Sequence, residues 1–328
     1  MSNFDLPIIS QLVRHDFFER AYREVEQHLA AKDPRTGTII PLLGPTRIGK
    51  TAVATLLKKK IGKETETNAS LLPVSDFVFG KLPPKPNDRD IYRAALEAFG
   101  LNCRERENTA AVRKRLVHTI QQTKVRVIAL DECNHCAERG ANLSARAAAD
   151  HLKTIVDETG VTLLLLGLPR FQSIIEGNEQ LRDRSTSTVY LQPYDWQKDE
   201  DRDAFCGVVF AVLDAIEKDG FTVDLEFEDL APRLYGASAG RVPVALRMIK
   251  SALMGAGERR HLDTAAFAET ARRMQQQPIS PFAFFQGDCP DDVMLIRSFA
   301  TVMAEAGLHF DADSPNGLQV SWDMRLAS

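Results

Sequence analysis

The run Gly44-Pro45-Thr46-Arg47-Ile48-Gly49-Lys50-Thr51 has the residue types and spacing of a loop that holds phosphate groups. Glycines let backbone N–H groups turn inward around an anion, and a helix that starts just after them aims its positive end at the same point. Lys50 would neutralise the outer phosphates and the Thr51 hydroxyl would supply an oxygen to magnesium. Such a pattern carries meaning only between an apolar strand and a helix. Thr38-Ile39-Ile40-Pro41-Leu42-Leu43 reads as that strand and residues 50–61 as that helix. The expected ligand is a nucleoside triphosphate, ATP or GTP, with Mg2+, held by Gly44, Pro45, Thr46, Arg47, Ile48, Gly49, Lys50 and Thr51.

A second element of the same chemistry is Val125-Arg126-Val127-Ile128-Ala129-Leu130-Asp131-Glu132, an apolar strand closed by two acids. Asp131 is expected to hold magnesium together with Thr51, and Glu132 to polarise the attacking water. Phosphoryl transfer passes through a loose transition state, so the task of Glu132 is mainly positioning. One acid at a strand end is ordinarily just solvated. Two in register behind a phosphate loop favour function.

The elements that must carry these residues follow from periodicity. Short apolar runs at 38–43, 71–79, 125–130, 161–166 and 187–191 alternate with helical patterns at 50–61, 88–99, 110–122 and 145–158. That alternation predicts an α/β fold with a parallel five-stranded sheet between helices. After Leu191-Gln192-Pro193-Tyr194-Asp195-Trp196 the strands stop, and helices are expected at 199–217, 227–235, 242–254 and 264–276. The predicted organisation is an N-terminal helical appendage over 1–36, a P-loop core over 37–195, a helical lid over 196–277 and a docking or assembly tail over 278–328. Phe17, Phe18, Tyr22, Val25 and Leu29 give the appendage its helical spacing.

These motifs in this order resemble the AAA+ ATPases, and the resemblance implies three further residues. AAA+ proteins end the strand at 161–166 in a polar sensor; here Gly167-Leu168-Pro169-Arg170 stands instead and Thr162 lies too early, so a backbone group or Asn134 would substitute. An arginine just before the fifth strand often reaches the neighbouring subunit's nucleotide and stabilises the transferring phosphoryl group. Arg184 is the first choice for it and Arg182 the second; the plainer alternative is a surface arginine paired with Asp183 or Glu179. Arg241, in Ser238-Ala239-Gly240-Arg241-Val242-Pro243, would contact the nucleotide from the lid, with Arg247 as the alternative.

A narrower resemblance spans residues 38–255, to the TniB/TnsC transposition regulators, a branch of AAA+ ATPases also related to the phage protein MuB. It rests on the phosphate loop, Leu82-Pro83-Pro84, Asp90-Ile91-Tyr92-Arg93, Leu96-Glu97-Ala98-Phe99-Gly100, Leu130-Asp131-Glu132-Cys133-Asn134-His135, Gly167-Leu168-Pro169, Gln180-Leu181-Arg182-Asp183-Arg184 and the run from Leu191 to Trp196. The family implies ATP-dependent rings or helical filaments of this chain on double-stranded DNA, and contact with a transposase and a target-selection protein. The chain departs from the family in placing Cys133 and Asn134 between the acid pair and His135, which bears on hydrolysis more than on binding. If the resemblance holds, Lys81, Lys85, Arg89, Arg104, Arg113 and Lys114, with Arg106 and Arg115, would meet DNA phosphates. The plain reading of each is a solvated helix face alternating with Asp88, Glu105 and Glu107.

Composition sets the remaining bounds. A chain of 328 residues, 44% hydrophobic, is long enough for one large core and a smaller one. A net charge of -4 gives no overall attraction to polyanions, so any such partner must be met by a local basic patch. Lys58-Lys59-Lys60 and Lys63 are not assigned to DNA, because cations suit the negative end of the helix they close. The sequence holds no apolar run long enough to span a membrane and no signal-peptide start, so a cytoplasmic protein without a membrane partner is expected. The five cysteines read as free thiols; Cys133 and Cys136 lack the second pair of ligands that zinc needs. Two other functions fit the same motifs: an AAA+ switch acting on protein partners in secretion or defence without DNA, and a P-loop kinase. The predicted lid and intersubunit arginine speak against the kinase.

Overall fold

Five short strands build one parallel sheet: β1 (Ile39–Leu43), β2 (Phe77–Lys81), β3 (Val127–Asp131), β4 (Thr162–Gly167) and β5 (Val189–Tyr190). They are hydrogen-bonded in the order β2-β3-β4-β1-β5. The computed structural model describes residues 13–31, 37–62, 64–65, 74–104, 106–138, 142–274 and 279–308. β1 and β4, covered on both faces, are buried along their whole length. Pro41, in the interior strand β1, sits opposite Leu165. The predicted run at 71–79 splits: Phe77–Lys81 enters the sheet, while Val74–Ser75 pairs antiparallel with Glu64–Thr65 and residues 71–73 lie outside the described residues.

Contacts divide the chain into two units, one of residues 20–44 and 49–191, the other of residues up to 19, 45–48 and those from 192 onward. In the sheet unit the helices are α2 (Lys50–Ile61), α3 (Asp88–Glu97), α4 (Thr109–Thr123) and α5 (Ala145–Thr159). Their starts are set by side chains that take up free N–H groups: Asn87 and Asp90 form a reciprocal capping box on α3, Asn108 caps α4 and Ser144 caps α5. Gly160 ends α5 at φ 67°. Ile39, Ile128, Leu163 and Leu165 are fully buried at the centre of the core, each stabilising the fold by roughly 1.5–3 kcal/mol relative to exposure. The helix α1 (Asp16–Ala30) contributes buried Tyr22 and Val25. Lys60, at the end of α2, pairs with Glu26 at 2.6 Å and lies 5.7 Å from the Tyr22 ring centre, so at least this lysine of the basic run is a structural tie.

The second unit is helical: α6 (Asp199–Lys218), α7 (Phe227–Ser238), α8 (Val242–Ala256), α9 (Thr264–Arg273) and α10 (Asp292–Glu305). Phe205, Tyr235 and Phe267 form its core with Phe284, Phe285 and Leu295. Phe17, one of the α1 residues that belong here, stacks on Tyr194 at 4.4 Å between ring centres. The expected separate tail over 278–328 is therefore revised for its described part. Buried Arg233 on α7 donates to the Phe284 carbonyl at 3.0 Å and the Gly287 carbonyl at 3.0 Å, Trp196 donates to Asp292 at 2.8 Å, and Ser298 donates to the Gly236 carbonyl at 2.6 Å. Residues 281–308 are thus part of the helical core; 309–328 lie outside the described residues. Among the described residues no helix is long and apolar enough to cross a membrane.

Phe284 is 2% exposed and packs flat against Gly236, where an added Cβ would fall 2.2 Å from its ring. Phe284→Ala is expected to destabilise the helical unit by about 3–5 kcal/mol, read as a lower denaturant midpoint for its transition. An unchanged midpoint would show that the aromatic segment is not part of that core.

Candidate nucleotide site

The strand order explains how distant residues meet. β1 and β3 lie on either side of β4, all run in the same direction, and the segments leaving their C-terminal ends emerge at one edge of the sheet. Gly44 N–H donates to the Gly167 carbonyl at 3.1 Å, fixing the start of the loop against the end of β4. Gly49 then adopts φ 113°, a conformation open to glycine, and α2 begins at Lys50.

The Lys50 ammonium donates to the Gly44 carbonyl at 2.7 Å, folding back over its own loop. Burial pushes its pKa down to about 8 from 10.5, against the opposing pull of Asp131 and Glu132. Thr51 Oγ1 donates to Asp131 Oδ2 at 2.8 Å, and Asp131 Oδ1 accepts the Glu132 N–H at 2.8 Å. One hydroxyl and one carboxylate from two elements thus converge on one point. Two hard oxygen donors suit magnesium, which keeps several waters and takes the rest of its shell from substrate phosphates. Among the described residues no cluster of three or more His, Cys, Asp or Glu side chains could hold a metal by itself. Thr51 and Asp131 therefore fit a metal that arrives with a nucleotide.

Glu132 is held at φ 60°, a left-handed conformation uncommon for a non-glycine residue. Lys81 Nζ lies 3.7 Å from Glu132 Oε1. Sequence reasoning assigned Lys81 to DNA alone and missed this contact; the signal was register, since Lys81 on β2 pairs with Asp131 on β3. Asn134, the suggested substitute sensor, is 3% exposed and occupied at both ends of its amide: Oδ1 accepts the Leu168 N–H at 3.3 Å and Nδ2 donates to Glu138 at 3.3 Å. It ties the turn after β3 to the end of β4. Cys133 and Cys136 are buried thiols, the first donating to the Leu130 carbonyl at 3.2 Å, and burial pushes the second up to about 12.

Arg184, the preferred intersubunit arginine, is engaged inside its own unit. Its guanidinium pairs with Asp157 and donates to the Gln180 carbonyl at 2.8 Å, while its own carbonyl accepts the Ile39 N–H at 2.8 Å. Arg182, the second choice, is exposed, and its side chain makes no ion pair or hydrogen bond among the described residues. In the helical unit Arg241 is 3% exposed at the start of α8, donating to the Ser238 carbonyl at 2.7 Å and to the Thr46 carbonyl of the phosphate loop at 3.3 Å. Arg247 is exposed on α8.

Of the residues suggested for DNA, Arg113 pairs with Glu158, Arg115 with Glu107 at 2.8 Å, and Arg89 donates to the Glu107 carbonyl at 3.1 Å. Lys81, Lys85, Arg104, Arg106 and Lys114 are exposed.

A family model described as Bacterial TniB protein matches residues 9–195, more than half of the chain. The chain belongs to the TniB family. Its fold is that of AAA+ P-loop ATPases, and solved structures of that class superimpose on this TniB chain at low identity. The ORC2 protein of Aeropyrum pernix, in ADPNP-ADP complexes, gives a TM-score of 0.55 at 14% identity, with 85% of this chain and 72% of that one covered. The ORC1 protein of Aeropyrum pernix in complex with DNA gives 0.53 at 14% identity over 94% and 89%. Cdc6p from Pyrobaculum aerophilum gives 0.55 at 11% identity over 94% and 92%. No curated protein matches the sequence.

The state of Lys50 yields a measurable proton balance. With a folded pKa near 8 against 10.5 when exposed, Lys50 binds its proton less tightly in the folded chain, so its contribution to stability rises with pH across that window. Phosphate charges raise the pKa again, so nucleotide binding at about pH 9 is expected to take up a fraction of a proton. Calorimetry in buffers of different ionisation enthalpy reads this directly; absence of uptake at that pH would mean that Lys50 does not meet the phosphates.

Proposed function

We propose that this TniB chain is an ATP-dependent, DNA-binding regulator of transposition, which assembles as a ring or helical filament on double-stranded DNA and recruits or activates a transposase. Hydrolysis of ATP to ADP and phosphate controls disassembly. The observation that carries the coupling is the 3.7 Å contact between Lys81 and Glu132. One cation suited to a DNA phosphate stands beside the acid suited to hydrolysis.

The division of labour in hydrolysis follows from the site. Backbone N–H groups of residues 44–51 and the ammonium of Lys50 bind the phosphates. Thr51 and Asp131 would hold magnesium, which would neutralise charge on the phosphates. Glu132 orients a water in line with the γ-phosphorus; the water's oxygen forms the new bond, the bond to the β-phosphate oxygen breaks, and ADP retains that oxygen. While Lys81 engages Glu132, the carboxylate is drawn away from that water. A DNA phosphate competing for Lys81 frees Glu132, so DNA binding and hydrolysis are linked. Arg182, exposed and unengaged among the described residues, is the better candidate than Arg184 to reach a neighbouring copy's nucleotide.

DNA contact falls to Lys85, Arg104, Arg106 and Lys114 as well as Lys81, all exposed and all in the sheet unit. The ORC1 protein solved in complex with DNA shares this fold, which supports the reading by analogy. The engagement of Arg89, Arg113 and Arg115 within the chain is what a switch acting on protein partners would also show.

Sedimentation with duplex DNA separates the two. ATP or a slowly hydrolysed analogue is expected to produce large assemblies, ADP and Lys50→Ala none, and Glu132→Gln assemblies that persist after ATP is added. Replacing Lys85, Arg104 and Lys114 by alanine should flatten the log–log salt dependence of DNA binding by roughly 2–3 units. No assembly and no salt-sensitive DNA binding in any nucleotide state would favour the protein-partner switch.

A further inference from the structure

Within the helical unit, α8 and α9 meet through short side chains. Ala252 and Ala256 at the end of α8 and Ala266 in the first turn of α9 form part of the wall of a cleft of about 280 Å³. At about 30 Å³ per water this is room for roughly nine waters, enough for a small organic group and too little for a nucleotide.

Small side chains alone would leave only a gap. Thr270, on α9, lines the same cleft. It is 6% exposed, and its hydroxyl makes no hydrogen bond among the described residues. A threonine inside a helix can return its hydroxyl to the carbonyl four residues back. Thr55, Thr119, Thr123, Thr154 and Thr301 do so at 2.7–2.9 Å. Thr270 forgoes that bond, and a buried hydroxyl without a partner is unfavourable until something in the cleft completes it.

Charge defines what that is. Arg259, in the turn after α8, and Arg273, at the end of α9, also line the cleft. Arg273 pairs with Glu269 at 3.0 Å and Arg272 with the same carboxylate at 3.4 Å. Arg259 is exposed, and its guanidinium has no partner among the described residues. Asp263 caps α9, accepting the Ala266 N–H at 2.8 Å, and His261 turns to Asp224 at 3.7 Å. Three arginines set against two carboxylates, Glu269 and Asp263, leave a single positive charge. A monoanion balances it, whereas a phosphate dianion would overcompensate beside the two acids. A carboxylate also matches the planar fork of a guanidinium and offers an acceptor to a hydroxyl.

We propose that this cleft binds a carboxylate on a short apolar stem, with the carboxylate oxygens held by Arg259 and the Thr270 hydroxyl and the stem lying against Ala252, Ala256 and Ala266. The site lies wholly in the helical unit and does not depend on nucleotide binding. The same chemistry is carried by a free short-chain acid and by the C-terminal residue of a peptide.

Calorimetry on the full chain with three probes reads the site. Butyrate and N-acetyl-leucine present the carboxylate on an apolar stem, and N-acetyl-leucine amide has the shape of the second without its charge. The acids are expected to bind with a Kd of about 1 mM or below, and the amide at least about tenfold more weakly. N-acetyl-leucine bound more than about fivefold more tightly than butyrate assigns the cleft to a peptide end; any smaller ratio assigns it to a free acid. Arg259→Gln should weaken both acids about tenfold or more and leave the melting temperature unchanged, since its guanidinium ties nothing together in the fold. Thr270→Val keeps the shape and removes only the hydroxyl; it should weaken them by about three- to tenfold and leave the melting temperature equal or higher. A melting temperature that falls in Thr270→Val would place the hydroxyl's bond inside the fold and overturn the proposal. So would equal binding of acid and amide, no binding of either acid at about 10 mM, or variants that bind the acids as the wild type does.

Discussion

Thr51 and Asp131 are 80 residues apart in sequence, yet their side chains meet at 2.8 Å. That contact depends on one constraint: a parallel sheet buried on both faces, in which every strand must point the same way and every chain reversal is a crossover. The strands can then differ in their middles only by which apolar residue they use, while polar chemistry collects where they end. β1 ends in the loop that starts α2, β3 ends in Asp131, and β4 between them ends in Gly167, whose carbonyl holds Gly44. An extra methyl group at Gly167 would sit 3.1 Å from the Asn134 backbone nitrogen, so glycine keeps the turns after β3 and β4 close. The loop glycines, the acid pair and the buried strands are one device, and the loss of any strand would separate the donors.

Much of this was legible in the sequence because it is local. The spacing of Gly44, Gly49, Lys50 and Thr51 names a loop, and the apolar runs around it name the strands, so α2 occupies 50–61 as its pattern predicts. Helix starts were legible for the same reason: Asn87, Asn108 and Ser144 each cap the turn they precede. What stayed hidden are the partners supplied by other elements. Asp157 on α5 pairs with Arg184, and Glu158 with Arg113, across 27 and 45 residues of sequence. Register sets Lys81 beside Glu132, a neighbour that its own segment does not announce. The tail expected from residue 278 joins the helical core in its described part, where Arg233 and Gly236 on α7 meet Phe284.

Two residues of the nucleotide site, Arg47 and Glu132, take left-handed backbone without being glycine. Both carry charged side chains that chemistry on phosphates would use. Lys85, Lys124, Ala239 and Arg260 share that conformation elsewhere in the fold.

The central claim is that Thr51 and Asp131 hold one magnesium ion only when a nucleotide completes its shell. Electron spin resonance of Mn2+, which substitutes for magnesium at oxygen sites, counts bound metal directly. The account predicts stoichiometric Mn2+ binding in the presence of ATP, weak binding without nucleotide, and loss of the ATP-dependent signal in Asp131→Asn. Equal Mn2+ binding with and without ATP, or an Asp131→Asn variant that binds as the wild type does, would contradict it.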